Sequence, residues 1–234
     1  MWSGPRNIST ALMRSWGNRE DAVVVDEPFY AYYLSHTGLA HPGREEVIAS
    51  QPTRWEQVIE GLLAPLPDGA TVLYQKHMAH HLLPEIGRGW LDRMSHAFLI
   101  RDPREMLTSL ARVLPEPTLD DTGLEQQVEI FEASTGAVPP PVIDARDVLT
   151  APAAVLRALC ARLRVPFTRR MLSWPPGLRD TDGVWARWWY DAVAQSTGFA
   201  AYRPPGEPFP QRLEPLLEQC LPYYERLHRE RIVI

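Results

Sequence analysis

Short apolar runs alternate with longer amphipathic stretches along this chain. The short runs are rich in Val, Ile and Leu, whereas the longer stretches repeat apolar residues at helical spacing. This alternation is typical of a parallel β-sheet covered by helices. It predicts strands at residues 22–25, 70–74, 96–100 and 142–145, and helices at residues 9–16, 28–36, 55–63, 104–113, 124–133, 152–163, 184–195 and 211–229.

The length and composition fit one α/β domain. The chain has 234 residues, of which 45% are hydrophobic, and this is enough to fill a sizeable core. We therefore expect residues 1–234 to form a single three-layer domain, with a central parallel sheet flanked by helices.

Polar side chains follow each predicted strand. Ligands of open parallel sheets bind beyond the carboxyl ends of the strands. We therefore expect a single crevice where these ends converge. The polar residues are Asp26 and Glu27, Gln75 to His77, Arg101 and Asp102, and Arg146 and Asp147.

The opening loop has the features of an anion-binding site. A bound anion could receive backbone N–H groups, the positive end of a helix dipole and side-chain donors there. The alternative is an ordinary helix start capped by Ser9 or Thr10, because the Gly-Lys pair of a Walker loop is absent. The loop consists of Gly4, Pro5, Arg6, Asn7, Ile8, Ser9 and Thr10.

A second segment, residues 98–109, joins an apolar strand to a helix. The strand delivers Arg101 at its tip, Pro103 falls near the helix start, and Ser109 lies on the helix. Arg101 and Ser109 could hold one phosphate from two sides. The alternative is a strand-end arginine paired with Asp102.

Composition singles out one further position. Of the 24 basic residues 23 are arginine, and the remaining one is Lys76. This bias indicates that position 76 needs a compact ammonium group, which an arginine does not supply. Chance survival of one lysine is the alternative.

Charge and hydropathy exclude several classes of partner. The net charge of -5 gives no overall basic field for a nucleic acid or an anionic membrane. No apolar run approaches the roughly 18 to 20 residues of a membrane span, and the polar start is unlike a signal peptide. We therefore expect a cytoplasmic protein. Cys160 and Cys220 lie in helical apolar patterns and receive no role.

The two segments together resemble the PAPS-dependent sulfotransferases. In that family a loop of the type Pro-Lys/Arg-Ser-Gly-Thr-Thr binds the 5′-phosphosulfate of the donor. Arg6, Ser9 and Thr10 match this loop, whereas Asn7 and Ile8 depart from its Ser-Gly. The resemblance covers residues 2–172 and implies a P-loop-like sulfotransferase fold.

The second segment extends the resemblance to the other end of the donor. The family binds the 3′-phosphate with an arginine at a strand end and a serine eight residues later, and Arg101 and Ser109 match both in kind and in spacing. The late segment that cytosolic members use on the same phosphate is not recognisable here. Its possible substitutes are Arg179, Arg187 and Arg203.

The resemblance implies sulfuryl transfer from PAPS, 3′-phosphoadenosine 5′-phosphosulfate, to a hydroxyl or amine, with no metal. Arg6 and the loop N–H groups would hold the 5′-phosphate, and Ser9 or Thr10 would bind the phosphosulfate. Lys76 falls on the family's catalytic lysine and would meet the charge that develops on the bridging oxygen.

The general base has two candidate positions, because Met78 stands where cytosolic members carry a histidine. Glu27 resembles the glutamate of the carbohydrate and tyrosylprotein branches, and burial would raise its pKa toward a useful value. His77 or His80 is the second candidate. The alternative for Glu27 is a carboxylate at a helix start. The alternative for the histidines is a solvated or packing role. A metal site is disfavoured, because no carboxylate or thiol accompanies the histidines.

An aromatic stripe and the chain start complete the sequence-based expectations. Trp185, Trp188, Trp189 and Tyr190 lie at helical spacing and form either core packing or a wall of the acceptor pocket. Only two residues precede Ser3, although such a loop springs from a strand. We therefore expect that most of the first strand is missing and that translation begins upstream.

Two rival functions remain open at this point. A P-loop nucleoside kinase shares the architecture but needs a Walker lysine, and a binding module could keep the nucleotide cleft without turnover. The sequence leaves the acceptor open among small molecules and carbohydrates, and it leaves the oligomeric state open.

Overall fold

Parallel strands form the centre of the fold. The protein is described by a computed structural model that covers residues 1–204 and 206–234. In these residues the strands are β1 (Trp2–Ser3), β2 (Ala22–Asp26), β3 (Val72–Met78), β4 (Phe98–Ile100) and β5 (Val142–Asp144). They form one five-stranded sheet in the order β2-β3-β1-β4-β5, and all pairs are parallel.

Helices connect the strands and cover both faces of the sheet. The helices of the described chain are α1 (Ser9–Gly17), α2 (Tyr30–Thr37), α3 (Arg44–Ser50), α4 (Trp55–Leu62), α5 (Pro103–Leu110), α6 (Leu119–Thr122), α7 (Leu124–Ala133), α8 (Ala145–Thr150), α9 (Pro152–Arg162), α10 (Ala186–Trp189), α11 (Asp191–Ala194) and α12 (Glu214–His228). Short 3₁₀ helices lie at Ala79–His81, Leu91–Arg93, Arg169–Leu172 and Gln211–Leu213.

The two faces of the sheet bury separate apolar clusters, which makes the architecture three-layered. Leu99 of β4 packs with residues of α1 and α9, whereas Phe98 and Ile100 pack on the opposite face with residues of α4, α7 and α12. Successive strand residues point to opposite faces. Because helices cover both faces, β4 reads as a continuous apolar run. The predicted α/β fold with a flanked parallel sheet is confirmed.

The short strand β1 occupies the position that matters most for the site. Trp2 pairs with His77 of β3 on one side and with Phe98 of β4 on the other. The strand order therefore reverses at β1, and such a switch point opens a crevice at the carboxyl end of the sheet. The Met1 amine is buried and donates to the Gln75 carbonyl at 2.9 Å. Burial lowers the pKa of this amine to about 5.

Several predicted boundaries differ from the structure. Strand β3 continues to Met78, so Gln75, Lys76 and His77 lie within the strand and not beyond it. The predicted helix 184–195 is broken into α10 and α11. The sequence pattern did not predict the helices α3, α6 and α8, which have only four to seven residues each. Short helices depend on tertiary packing more than on local pattern.

No helix in residues 1–204 or 206–234 combines the length and the apolar character needed to cross a membrane.

Candidate active site

The loop between β1 and α1 has an unusual backbone. Arg6 (φ 60°) and Ile8 (φ 59°) both adopt the left-handed region. This conformation is rare for a β-branched residue and is strained by roughly 1–3 kcal/mol, a cost that is found mainly at functional sites. Ile8 precedes α1 and offers no side-chain cap, so the first N–H groups of the helix are uncapped and face the loop. Uncapped N–H groups at a helix start are favourable donors to an anion.

Gly4 anchors the loop to the neighbouring layer. A Cβ atom at this position would lie 2.3 Å from the carbonyl oxygen of Thr122. Only a glycine, which has no Cβ atom, allows the Thr122 carbonyl to come this close to residue 4. This contact fixes the position of the loop where it leaves β1.

Arginines from two strand ends meet beside the loop. The Arg6 Nε donates to Ser109 Oγ at 3.0 Å, and the Arg101 Nη1 donates to the Arg6 carbonyl at 2.7 Å. The Arg101 Nε also donates to Glu105 at 3.2 Å. Asp102 instead caps α5 by accepting from the Arg104 N–H at 2.8 Å, so the expected alternative pairing of Arg101 with Asp102 is wrong.

The positive charge at this end of the site is concentrated. The pKa of Arg6 is lowered by burial and by the nearby charges of Arg101 and Arg112. An anion between these guanidinium groups would relieve their repulsion. The sequence analysis missed Arg112, although it follows Ser109 by three residues and this spacing favours the same side of a helical turn.

Lys76 is the centre of a buried charge network. Its Nζ contacts Asp26 at 2.9 Å, Glu27 at 2.5 Å and the Tyr190 hydroxyl at 2.6 Å. An ammonium group has three N–H donors, so all three are used. The sheet register explains the first contact, because Asp26 of β2 lies directly beside Lys76 of β3.

Glu27 follows β2 and turns toward the cleft. Its backbone is also left-handed, with φ 39°, and its N–H donates to the Lys76 carbonyl at 2.9 Å. Burial raises the pKa of the Glu27 carboxyl, although the Lys76 ammonium opposes this shift. A carboxyl group with a raised pKa is suited to accept a proton near neutral pH.

Tyr190 closes the network from the C-terminal part of the chain. Its hydroxyl lies 2.7 Å and 2.9 Å from the two Asp26 carboxylate oxygens and accepts from the Trp185 indole at 3.2 Å. The Gly183 N–H donates to Asp26 at 3.2 Å. The sequence analysis expected Asp26 in the crevice and Tyr190 in a possible acceptor wall, but it did not connect the two, since 164 positions separate them.

A second buried ion pair holds the same segment in place. Arg14 of α1 and Asp182 are both almost fully buried and form a bidentate pair, in which Nη2 lies 2.6 Å from Oδ2. Asp182 also accepts from the Arg179 N–H at 2.8 Å. The segment 179–190 is therefore tied to α1 and to β2, and this fixes Tyr190 over Lys76.

His77 does not reach the cleft. Neighbouring residues of a strand point to opposite faces, so Lys76 and His77 diverge. The His77 ring stacks on Trp2 at 4.3 Å and contacts Gln75 at 3.0 Å through Nε2. Burial lowers the pKa of His77 well below its usual value. His77 is a packing residue of the other face, and we withdraw it as a candidate base.

His80 does line the cleft, together with His81 and His41. Burial lowers the pKa of His80 to about 4 and that of His81 well below the usual range, so both rings are neutral at neutral pH. The Nδ1 atoms of both rings are buried without a hydrogen-bond partner. Among the described residues, no group of three or more His, Cys, Asp or Glu side chains is arranged to hold a metal ion.

The aromatic stripe serves two purposes. Trp185 is buried in the core, Trp188 packs beside Gly43, and Trp189 lines the cleft.

Of the three candidate substitutes for the late phosphate contact, Arg187 pairs with Glu46 and Arg179 lies next to the buried pair of Arg14 and Asp182. Arg203 is exposed.

One cleft of about 570 Å³ connects these groups. Its lining includes residues 5–11, Arg101 and Ser109, the central network of Glu27, Lys76 and Tyr190, and several tyrosine and histidine rings. The cleft therefore combines the cluster of Arg6, Arg101 and Ser109, called the cationic end below, with a charged network and a group of aromatic rings.

Several known proteins are similar to this chain. The model of the sulfotransferase domain family matches residues 1–231. Two solved structures are similar, the sulfotransferase domain from the curacin biosynthetic pathway and that of the Synechococcus PCC 7002 olefin synthase. The first is 14% identical with a TM-score of 0.49 and covers 93% of this chain and 95% of that one. The second is 15% identical with a TM-score of 0.48 and covers 93% and 92%.

Two curated relatives from Arabidopsis thaliana match 97% of the chain. They are branched-chain-amino-acid aminotransferase-like proteins 1 and 2, which are 38% and 35% identical over 227 residues. The chain spans about 40% of the length of these relatives, whose names describe the whole proteins. The match of the family model over nearly the whole chain identifies this protein as a member of the sulfotransferase domain family.

Proposed function

We propose that this protein is a PAPS-dependent sulfotransferase that moves a sulfuryl group to a small-molecule acceptor. The observation that carries the proposal is the position of two kinds of group in one cleft. Arg6, Arg101 and Ser109 gather at its cationic end, and Lys76 and Glu27 lie at its centre. A donor with two separate phosphate groups fits this division.

The cationic end would hold the donor. The uncapped helix start and the loop of residues 4–10 would take the 5′-phosphosulfate, with Ser9 or Thr10 as hydroxyl donors. Arg101 and Ser109 would take the 3′-phosphate, with Arg112 close enough to add its charge.

Lys76 and Glu27 would act on the reacting atoms. The acceptor oxygen forms a bond to sulfur while the bond from sulfur to the bridging phosphate oxygen breaks. The acceptor proton passes to Glu27, and the electron pair stays on the phosphate oxygen beside Lys76. Positioning and charge stabilisation are the main contributions that a protein makes to such a transfer.

The resting ion pair suggests how the donor prepares the base. Lys76 must give up one partner to reach the bridging oxygen. Glu27 is the partner that can move, because its side chain is 11% exposed while that of Asp26 is 2% exposed. Once Lys76 turns away, the Glu27 carboxylate loses its cation and becomes a stronger base.

Transfer of labelled sulfate from PAPS to a panel of hydroxyl and amine acceptors tests this proposal. We expect transfer by the wild type and transfer slower by about 10²- to 10⁴-fold in the Glu27→Gln variant, with both proteins binding adenosine 3′,5′-bisphosphate. A parallel assay with ATP and magnesium tests the kinase alternative and should give no transfer. If the wild type binds the nucleotide but transfers nothing to any acceptor or to water, the protein is a binding module.

A further inference from the structure

Five aromatic rings form part of the lining of the cleft. Tyr30 and Tyr33 come from α2, His41 from the following loop, and His80 and His81 from the turn after β3. All five residues line the cleft. Below, these five residues are called the ring wall.

The rings of this wall are held by one another. Tyr30 stacks on His81 with centroids 4.8 Å apart and 7° between the planes, and Tyr33 stacks on the same ring at 4.6 Å. His80 meets His81 edge-on at 4.4 Å. The Tyr30 hydroxyl lies 2.8 Å from His41 Nδ1. Such contacts hold the rings in place before any ligand binds.

The charge of the ring wall is the second observation. Burial lowers the pKa of His41, His80 and His81, so these rings carry no charge at neutral pH. Among the described residues that line the cleft, the cations are Arg6, Arg101 and Lys76, all outside the wall. Two charges of the cleft lie near the wall: the Asp121 carboxylate acts on Tyr33, His41 and His80, whereas the Lys76 ammonium acts on Tyr30 and His81.

Two polar atoms of the wall have no partner in the protein. The His81 side chain is 3% exposed, and its Nδ1 atom and that of His80 are buried without a hydrogen bond. A buried polar atom without a partner costs about 1–3 kcal/mol.

We propose that the ring wall is the acceptor subsite and that it takes an uncharged hydroxyl compound with a flat apolar body, while it rejects acceptors that carry a carboxylate, phosphate or sulfate group. This inference rests on the proposed function and names the substrate class of the same site. The neutral rings bury the body, Glu27 takes the proton of the reacting hydroxyl, and an anionic substituent would lie among uncharged rings beside Asp121.

A pair of matched acceptors tests the charge rule. The probes are 2-naphthol and 6-hydroxy-2-naphthoate, which share the ring system and the hydroxyl group and differ in one carboxylate. We expect kcat/KM for the carboxylate to be lower by about 100-fold or more, because a buried anion without a counter-charge is strongly disfavoured. Equal or better use of the carboxylate would overturn the proposal, as would failure to use 2-naphthol.

Two neighbouring tryptophans test the location. Trp189 lines the cleft, whereas Trp188 packs beside Gly43. We expect Trp189→Leu and Tyr33→Leu to raise KM for 2-naphthol about fivefold or more, and Trp188→Leu to leave it unchanged. Unchanged KM in the first two variants would place the acceptor elsewhere.

Binding of adenosine 3′,5′-bisphosphate distinguishes a failure of the acceptor proposal from a failure of the proposed function. Each variant should keep the wild-type affinity for this nucleotide, since the ring wall does not touch the arginine cluster. Absence of nucleotide binding in the wild type would refute the proposed function itself. Normal nucleotide binding with the wrong acceptor preference would refute only the acceptor class.

Discussion

Lys76 and Glu27 form an ion pair of 2.5 Å between strand β3 and the residue that follows β2. The pair joins a residue that is 1% exposed to one that faces the cleft. It gives Glu27 a cation that donor binding would remove, and it gives Lys76 a position from which it can reach the donor. Under the proposed mechanism, the transfer therefore depends on how this pair opens.

Replacement of Glu27 by Gln should abolish the proton acceptor and keep the shape of the side chain. We expect kcat to fall by about 10²- to 10⁴-fold, the usual contribution of a general base, with unchanged affinity for adenosine 3′,5′-bisphosphate. The pKa of Glu27 is raised, so wild-type kcat should fall as the pH drops through that raised value and the carboxylate takes up a proton. A flat pH profile would argue against Glu27 as the base.

Replacement of Tyr190 by Phe should disturb Lys76 without touching the donor site. The variant leaves Asp26 and Lys76 each without one hydrogen bond, so we expect kcat to fall roughly tenfold, as for about 1–2 kcal/mol of lost interaction. The matched control is Tyr32→Phe, whose hydroxyl donates to Glu85 at 2.9 Å outside the cleft. If the two variants lose the same activity, Tyr190 has no special part in positioning Lys76.

Replacement of Gly4 by Ala should displace the loop. The new methyl group would lie 2.3 Å from the Thr122 carbonyl oxygen, and we expect a loss of about 1–3 kcal/mol in the free energy of unfolding together with weaker nucleotide binding. Gly61→Ala is the control, because a Cβ there meets nothing within 4 Å in helix α4 and should stabilise the protein by up to about 1 kcal/mol. Urea unfolding measures both.

The buried histidines predict a loss of stability in acid. His80 has a pKa of about 4 in the folded protein and an ordinary value of 6.5 when exposed, so the unfolded chain binds the proton more readily. Stability should therefore be highest above about pH 6.5 and should fall as the pH drops toward 4. Urea unfolding at several pH values measures this slope, and the slope should be smaller in His80→Gln. An equal slope in both proteins would contradict the burial of a neutral ring.

The sequence predicted strands β2 to β5 and most of the longer helices, because each depends on local patterns. The phosphate-binding role of the two motif segments stays a prediction. The sequence analysis placed Lys76 after the end of a strand, because a lysine within a buried strand is expected only when its charged partners are known. Those partners, Asp26 and Tyr190, come from a neighbouring strand and from a segment 114 residues away from Lys76. The alternation of side chains along β3 also rules out His77 as the general base. That argument requires the knowledge that β3 continues through His77.

Arg101 gives the donor site a sharp test. Replacement by Ala removes a cation and its contact with the Arg6 carbonyl, so we expect adenosine 3′,5′-bisphosphate to bind about 10- to 100-fold more weakly, as for a charged hydrogen bond. Arg187→Ala is the control, since Arg187 pairs with Glu46 away from the cleft. Equal losses in the two variants would mean that the effect is one of overall charge.

The most direct test of the central claim is calorimetric titration of the wild type with adenosine 3′,5′-bisphosphate and, separately, with adenosine 5′-monophosphate. The account predicts one site of micromolar affinity for the bisphosphate and binding at least about tenfold weaker for the monophosphate, which lacks the group that Arg101 and Ser109 would hold. Absence of binding to the bisphosphate, or equal affinity for both nucleotides, would contradict it.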